Sequence, residues 1–178
     1  MYGDGDNGKT GTLIKNIICN NGRKVYLHDV WEEKPEFNKG DEYEIIQLSS
    51  RRSVYGESYL DILVQVSSEC RNLQSVTGNI KPGGYIILNS DFLDRIDLKC
   101  REIYAVSYGL NNKATVTASS IDDIQGLSFS YYLQRALPSM EKVIIQPFET
   151  PIRFSHETCD IYSCLAAYTC AIILGFKI

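Results

Sequence analysis

Apolar residues at Leu13, Ile14, Ile17 and Ile18 recur at the three- and four-residue spacing of a helix, and Gly22 follows where a C-terminal cap belongs. Beyond that helix the pattern changes to short β-rich runs. Residues 24–29 and 43–48 read as strands, joined by a polar loop with Pro35 and Gly40. Residues 58–66, 84–88 and 102–107 read as three more. Ile62, Leu63 and Val64, and then Tyr85 to Leu88, are continuously apolar, which suits strands covered on both faces, as in a parallel sheet flanked by helices. From Asn112 the runs shorten or alternate: 114–119, 127–133 and 143–146, divided by Asp122-Asp123, Gly126 and Pro138. They predict a small antiparallel sheet within about 112–150. The last apolar run, 161–176, is shorter than the ~20 residues that cross a bilayer and is broken by Ser163 and Thr169, so it predicts a buried helix from about Thr158.

Composition narrows the class. A chain of 178 residues is one domain of ordinary size, spanning 1–178, and no repeat or linker divides it. With 18 basic and 22 acidic residues the net charge is −4, and no Lys/Arg cluster is dense enough to follow a phosphodiester backbone. Nucleic acid is therefore not the expected partner, nor is a membrane. The six cysteines show no paired C-x-x-C spacing, sit among apolar neighbours and follow no secretory signal, which favours reduced, mostly buried thiols in a cytoplasmic protein. His156 and Cys159 form H-x-x-C without a second metal-type pair, so no structural zinc is expected.

The candidate chemistry lies at the start. Gly3-Asp4-Gly5-Asp6-Asn7-Gly8-Lys9-Thr10 has the spacing G-x-x-x-x-G-K-[ST] of a loop whose backbone N–H groups and lysine hold a polyphosphate. Glycines allow the tight turn, Lys9 would neutralise β/γ charge, and the Thr10 hydroxyl would ligate Mg²⁺. The helix that follows supplies the positive N-terminus such a loop needs. The competing reading is an ordinary glycine-rich turn before a helix. Phosphate loops also follow a buried strand, and the chain as given leaves no room for one, so either that strand is lost or the loop is weakly anchored. Gly3-x-Gly5-x-x-Gly8 satisfies the dinucleotide pattern as well, but Lys9-Thr10 favours the phosphate loop. The fold expected is α/β, a P-loop-type mainly parallel sheet with flanking helices plus the small antiparallel sheet.

Four segments, in order, resemble the central ATP-binding domain of the Mur ligases, the ATP-dependent amide-forming enzymes of peptidoglycan precursor synthesis. Gly5-Asp6-Asn7-Gly8-Lys9-Thr10 is similar to the family's G-T-N-G-K-T loop. Asp61-Ile62-Leu63-Val64-Gln65-Val66-Ser67-Ser68 resembles D-x-x-V-x-E-V-S-S. Gly83 to Asp91 resembles G-G-x-x-x-x-N-x-D-D, followed by Val106 to Asn111 and Ala114, which are similar to the family's next strand and F-G-x-x-x-x-A-D. Cys159-Asp160-Ile161-Tyr162-Ser163-Cys164-Leu165-Ala166-Ala167 resembles H-N-x-x-N-x-x-A-A.

The resemblance implies an ATP site built from Gly5, Asp6, Asn7, Gly8, Lys9, Thr10 and Gly11, with Asp160 and Ser163 where the family's two asparagines face adenine, and Mg²⁺ at Thr10 and Gln65. It also exposes departures. Gln65 replaces a metal-binding glutamate and is a weaker ligand for a hard cation. The family's histidine-containing segment after the serines has no counterpart in residues 69–80, and the family's flanking domains have none in the chain. These departures favour an ATP-binding domain that is catalytically weak or inactive alone. The alternative is an ATP-dependent acid–amino acid ligase of cell-wall precursor or related biosynthesis, working with a partner protein or oligomer that supplies the missing domains. No catalytic residue is assignable.

Overall fold

The computed structural model describes residues 8–29, 42–47, 60–66, 76–92, 102–124, 126–154 and 159–178. In chain order these form helix α1 (Lys9–Asn20), strands β1 (Val25–Asp29), β2 (Tyr43–Gln47), β3 (Leu60–Val64), β4 (Ile80–Asn89), β5 (Tyr104–Tyr108), β6 (Val116–Asp122), β7 (Ser128–Leu133), β8 (Leu137–Pro138), β9 (Ile144–Ile145) and β10 (Phe148–Arg153), and helix α2 (Ile161–Ile173).

One six-stranded sheet in the order β10-β7-β6-β5-β4-β3 carries the fold. The half from β3 to β6 is parallel, and β7 pairs antiparallel with β6 on one side and with β10 on the other. The antiparallel strands expected after Asn112 thus extend the parallel sheet, while β8 and β9 pair as a separate antiparallel ribbon. Gly84 to Asn89 of β4 are all buried, as their unbroken apolar run requires of a strand covered on both faces. β1 and β2 pair in parallel as a second, two-stranded sheet.

β10 has no counterpart among the strands read from the sequence. Pro151 lies within it, and proline, lacking an N–H, argues against a central strand. The structure reconciles the two, because β10 is the sheet's edge and Pro151 sits opposite Ser130 of β7 with its outer side unneeded for pairing.

Leu13, Ile14, Ile17 and Ile18 are buried, as their spacing predicts, and α1 packs along α2 and against β1 and β2. Its end closes as a Schellman motif: the Gly22 N–H donates to Cys19 O at 2.9 Å, the Arg23 N–H to Ile18 O at 3.2 Å, and Gly22 takes φ +75°. α2 packs on α1 with one side and on β3 to β6 with the other, so nearly every residue from Ser163 to Ile173 is buried. The apolar run at the C-terminus is therefore core, and no helix among the described residues is long and apolar enough to cross a membrane.

Tyrosines tie the layers together. Tyr131 is fully buried beneath α2 and its hydroxyl lies 3.1 Å from Thr169 Oγ1, which itself donates to Leu165 O at 2.7 Å. The fully buried Tyr108 donates to Gln65 O at 2.7 Å, fastening β5 to the end of β3.

Leu165 is fully buried in this core. Leu165→Ala is expected to cost ~2–5 kcal/mol of stability through lost burial and the cavity left behind. Urea unfolding followed by far-UV circular dichroism checks this; a midpoint unchanged from wild type would remove α2 from the centre of the core.

Candidate functional site

Gly8 is the N-cap of α1, with φ +76° and ψ 7°, and its carbonyl accepts the Thr12 N–H at 3.0 Å. The left-handed conformation favours glycine, and a Cβ here would come 2.8 Å from Gln47 Oε1 and 3.2 Å from Gln47 Nε2, so the flexible end of that side chain would have to shift. Glycine brings no capping side chain, so α1 begins with its positive end unscreened by one. Lys9 is exposed at this end, Thr10 is fully buried and Gly11 is buried. Gly5, Asp6 and Asn7 lie outside the described residues.

α2 begins differently. Asp160 is its N-cap; one carboxylate oxygen accepts the Ser163 N–H at 3.0 Å and the other accepts the Ser163 hydroxyl at 2.6 Å. The two residues expected to face adenine are thus brought into contact and engaged with one another. Ser163 is buried, whereas the exposed Asp160 carboxylate keeps lone pairs for a further donor.

Both helix N-termini lie at one end of the molecule. Gln47, ending β2, touches Gly8; Phe92, just beyond β4, packs on Tyr162 in the first turn of α2 with ring centroids 5.3 Å apart. At the opposite end Tyr43, opening β2, meets Phe176 beyond α2 at 5.6 Å. The carboxyl ends of the parallel strands therefore face the same way as the starts of α1 and α2, the arrangement in which open α/β sheets bind ligands.

Gln65 stands at the tip of β3, 2% exposed, its N–H donating to Ile87 O at 2.8 Å. Beyond β4, Asp91 gathers donors: the Leu110 N–H at 2.6 Å, the Asn111 side chain and the Tyr162 hydroxyl. Burial pushes the Asp91 carboxyl up, but these bonds and that of the Asn111 N–H outweigh it and hold its pKa below the ordinary value. The Asn111 amide also donates to Ser90 Oγ at 2.7 Å. Asn89 is fully buried; its Oδ1 accepts the Asp91 N–H at 3.0 Å, and its Nδ2 has no hydrogen-bond partner among the described residues. Neither this Asp91 network nor Gln47 was assigned a role from the sequence. The segment 89–91 and Asn111 were visible as motif residues, but only folding brings β4, β5 and α2 to one point; nothing in the sequence marks Gln47.

No protein-family model matches the sequence, and no characterised protein matches it by sequence. Solved structures do match. The MurF ligase of Thermotoga maritima, determined in complex with ADP, aligns with 100% of this chain at a TM-score of 0.71 and 11% identity. The chain has the fold of the Mur ligases. The UDP-N-acetylmuramoylalanyl-D-glutamyl-2,6-diaminopimelate-D-alanyl-D-alanyl ligase of Acinetobacter baumannii aligns with 99% of it at a TM-score of 0.69 and 14% identity. A UDP-N-acetylmuramoyl-L-alanyl-D-glutamate-2,6-diaminopimelate ligase aligns with 99% at 0.62 and 13%. This chain spans less than half of those Mur ligase chains, 45%, 42% and 43% respectively.

Two outcomes test this geometry. Gly8→Ala should lose ~1–2 kcal/mol from the left-handed backbone alone, and adding Gln47→Ala should relieve the contact without restoring wild-type stability. Thermal denaturation of the single and double variants measures both; full recovery in the double variant would show that contact, not backbone, dominates. For Asp91, a depressed folded pKa means the unfolded chain binds the proton more readily. Its contribution is present above the unfolded value of ~3.9 and is lost as pH falls through the lower folded value. Asp91→Asn should flatten the acid side of a stability–pH profile, and an unaltered profile would refute the network's role.

Proposed function

We propose that this chain is an ATP-binding unit of Mur-ligase fold, using the turn before α1 for phosphate, and that alone it is a weak or inactive catalyst. The observation that carries the reading is the start of α1: a left-handed glycine with no capping side chain, followed by exposed Lys9 and buried Thr10. Such an N-terminus favours an anion. The T. maritima MurF structure holds ADP in the same fold, which supports a nucleotide as that anion. Gly5, Asp6, Asn7, Gly8 and Gly11 would surround the phosphates, Lys9 would neutralise them, and Asp160 would accept a hydrogen bond from the adenine amine. Ser163 would act through Asp160, fixing the carboxylate.

The donor set suits nucleotide better than metal. Thr10 and Gln65 offer neutral oxygens, and the described residues contain no group of three His, Cys, Asp or Glu able to hold an ion. Mg²⁺ binds through carboxylates and phosphates together, so here it would be held chiefly by the nucleotide, where it would neutralise phosphate charge. The second reading, an ATP-dependent acid–amino acid ligase of peptidoglycan precursor synthesis, rests on the ligases that share the fold, and would need a partner chain for the acceptor and amine.

Isothermal calorimetry with Mg-ATP tests the proposal. Lys9→Ala removes a charge-assisted contact worth ~1.5–3 kcal/mol, so affinity should fall by at least about tenfold. Equal binding by wild type and variant would remove the loop from the site. Phosphate release with amino acids and muramyl-type acceptors should stay at background, and Gln65→Glu should increase the Mg²⁺ dependence of binding more than turnover. Acceptor-stimulated phosphate release abolished in Lys9→Ala would establish the ligase reading instead.

A further inference from the structure

Outside the strand tips and the start of α1, the chemistry-bearing groups that the fold places together are two thiols at the start of α2. Asp160 is the N-cap, so Cys159 occupies the position before the cap and Cys164 the fourth position of the helix. Side chains at these two positions meet across the first turn of a capped helix, commonly as a hydrophobic staple. Here both are cysteines, neither in a disulfide, and Cys159 packs against the buried cluster that contains Cys164. Cys159 is half-buried and open to small reagents; Cys164 is fully buried.

We propose that Cys159 and Cys164 are a reversible redox pair, oxidised by a peroxide to a disulfide that closes across the first turn of α2. The Cys159 sulfur attacks one oxygen of hydrogen peroxide, the O–O bond breaks, and the thiol proton leaves in a molecule of water, giving the Cys159 sulfenic acid. The Cys164 sulfur then attacks the Cys159 sulfur. Its thiol proton and the sulfenic hydroxyl leave as a second water, the S–S bond forms, and two electrons have passed from the thiols to the peroxide. Burial, then the neighbouring Cys159 and Asp160, push the Cys164 thiol up, so Cys164 stays protonated in the resting protein and the more open Cys159 is the thiol that meets peroxide first. A disulfide needs its sulfurs ~2.05 Å apart, so forming it requires Cys159, which lies outside the helix, to move toward Cys164. The ring would enclose Asp160 and Ser163, locking the cap.

The bond is read by mass and does not depend on whether nucleotide binds. The full-length chain is treated with hydrogen peroxide, alkylated and digested without reduction. The expected product is the peptide containing both residues, lighter by two hydrogens, with fragmentation placing the link between Cys159 and Cys164 and dithiothreitol reversing it. In Cys164→Ala, Cys159 should stop at the sulfenic acid and be trapped by a dimedone reagent; in Cys159→Ser, Cys164 should remain a free thiol. The inference fails if wild-type Cys159 proceeds to sulfinic acid while Cys164 is fully alkylated, or if Cys159 pairs instead with another cysteine.

Discussion

The packing of α2 between the six-stranded sheet and α1 is the constraint on which the rest depends. A helix covered on both sides must be apolar nearly all round, and it must be slim where neighbours approach. Cys164, Ala166, Ala167, Cys170 and Ala171 meet both demands, and each is buried. Support then converges on α1: the sheet holds α2, α2 holds α1 from one side, β1 and β2 hold it from another, and α1 carries the turn at Gly8. Thr169 is the one hydroxyl in the buried middle of α2, and its bonds to Leu165 O and with Tyr131 answer its burial. Disturbing α2 should therefore move the proposed phosphate turn without touching it.

The parts of the fold legible in the sequence are those where one physical signal acted alone. The face of α1 was set by its apolar spacing, and β3 and β4 by unbroken apolar runs that only two-sided burial explains. α2 was readable as core because its run is too short for a bilayer. The joining of β6, β7 and β10 onto the parallel sheet was not readable, since local pattern distinguishes antiparallel from parallel pairing but not one sheet from two. β10 was hidden by Pro151, which becomes acceptable only once the strand is known to be an edge. At the candidate site, Gly8, Lys9 and Thr10 were legible because their spacing is local. The Asp91 network and the contact of Gln47 with Gly8 arise from residues far apart in the chain, and no local pattern encodes them.

Within one end of the molecule the two helices satisfy their N-termini in opposite ways. α2 is closed by its own Asp160 and Ser163, an arrangement in which carboxylate, hydroxyl and backbone N–H answer one another. α1 has a glycine at the same position, and a glycine contributes no side chain to the cap. A helix start without a side-chain cap, beside an exposed lysine, gains most from an anion arriving from outside. The contrast matters because both helices are supported by the same core, so the difference lies in the capping residue and not in how deeply each helix is seated.

Binding and catalysis also separate here on physical grounds. A helix N-terminus and a lysine attract phosphate oxygens in the bound nucleotide and in any transition state derived from it, and interactions equally strong in both lower the energy of each without accelerating the step between them. Acceleration requires charge placed where it is needed only as the phosphoryl group moves, which metal ions held by carboxylates supply well. Gln65, buried at the tip of β3, is neutral where the resemblance implies a carboxylate, and its backbone is tied into the strand ends through Ile87 O and the Tyr108 hydroxyl. The strand tip is thus built firmly while the charge at that position is absent. Under the proposed function, the helix end and Lys9 would hold the phosphates, while the missing carboxylate would leave the phosphoryl group without that activating charge.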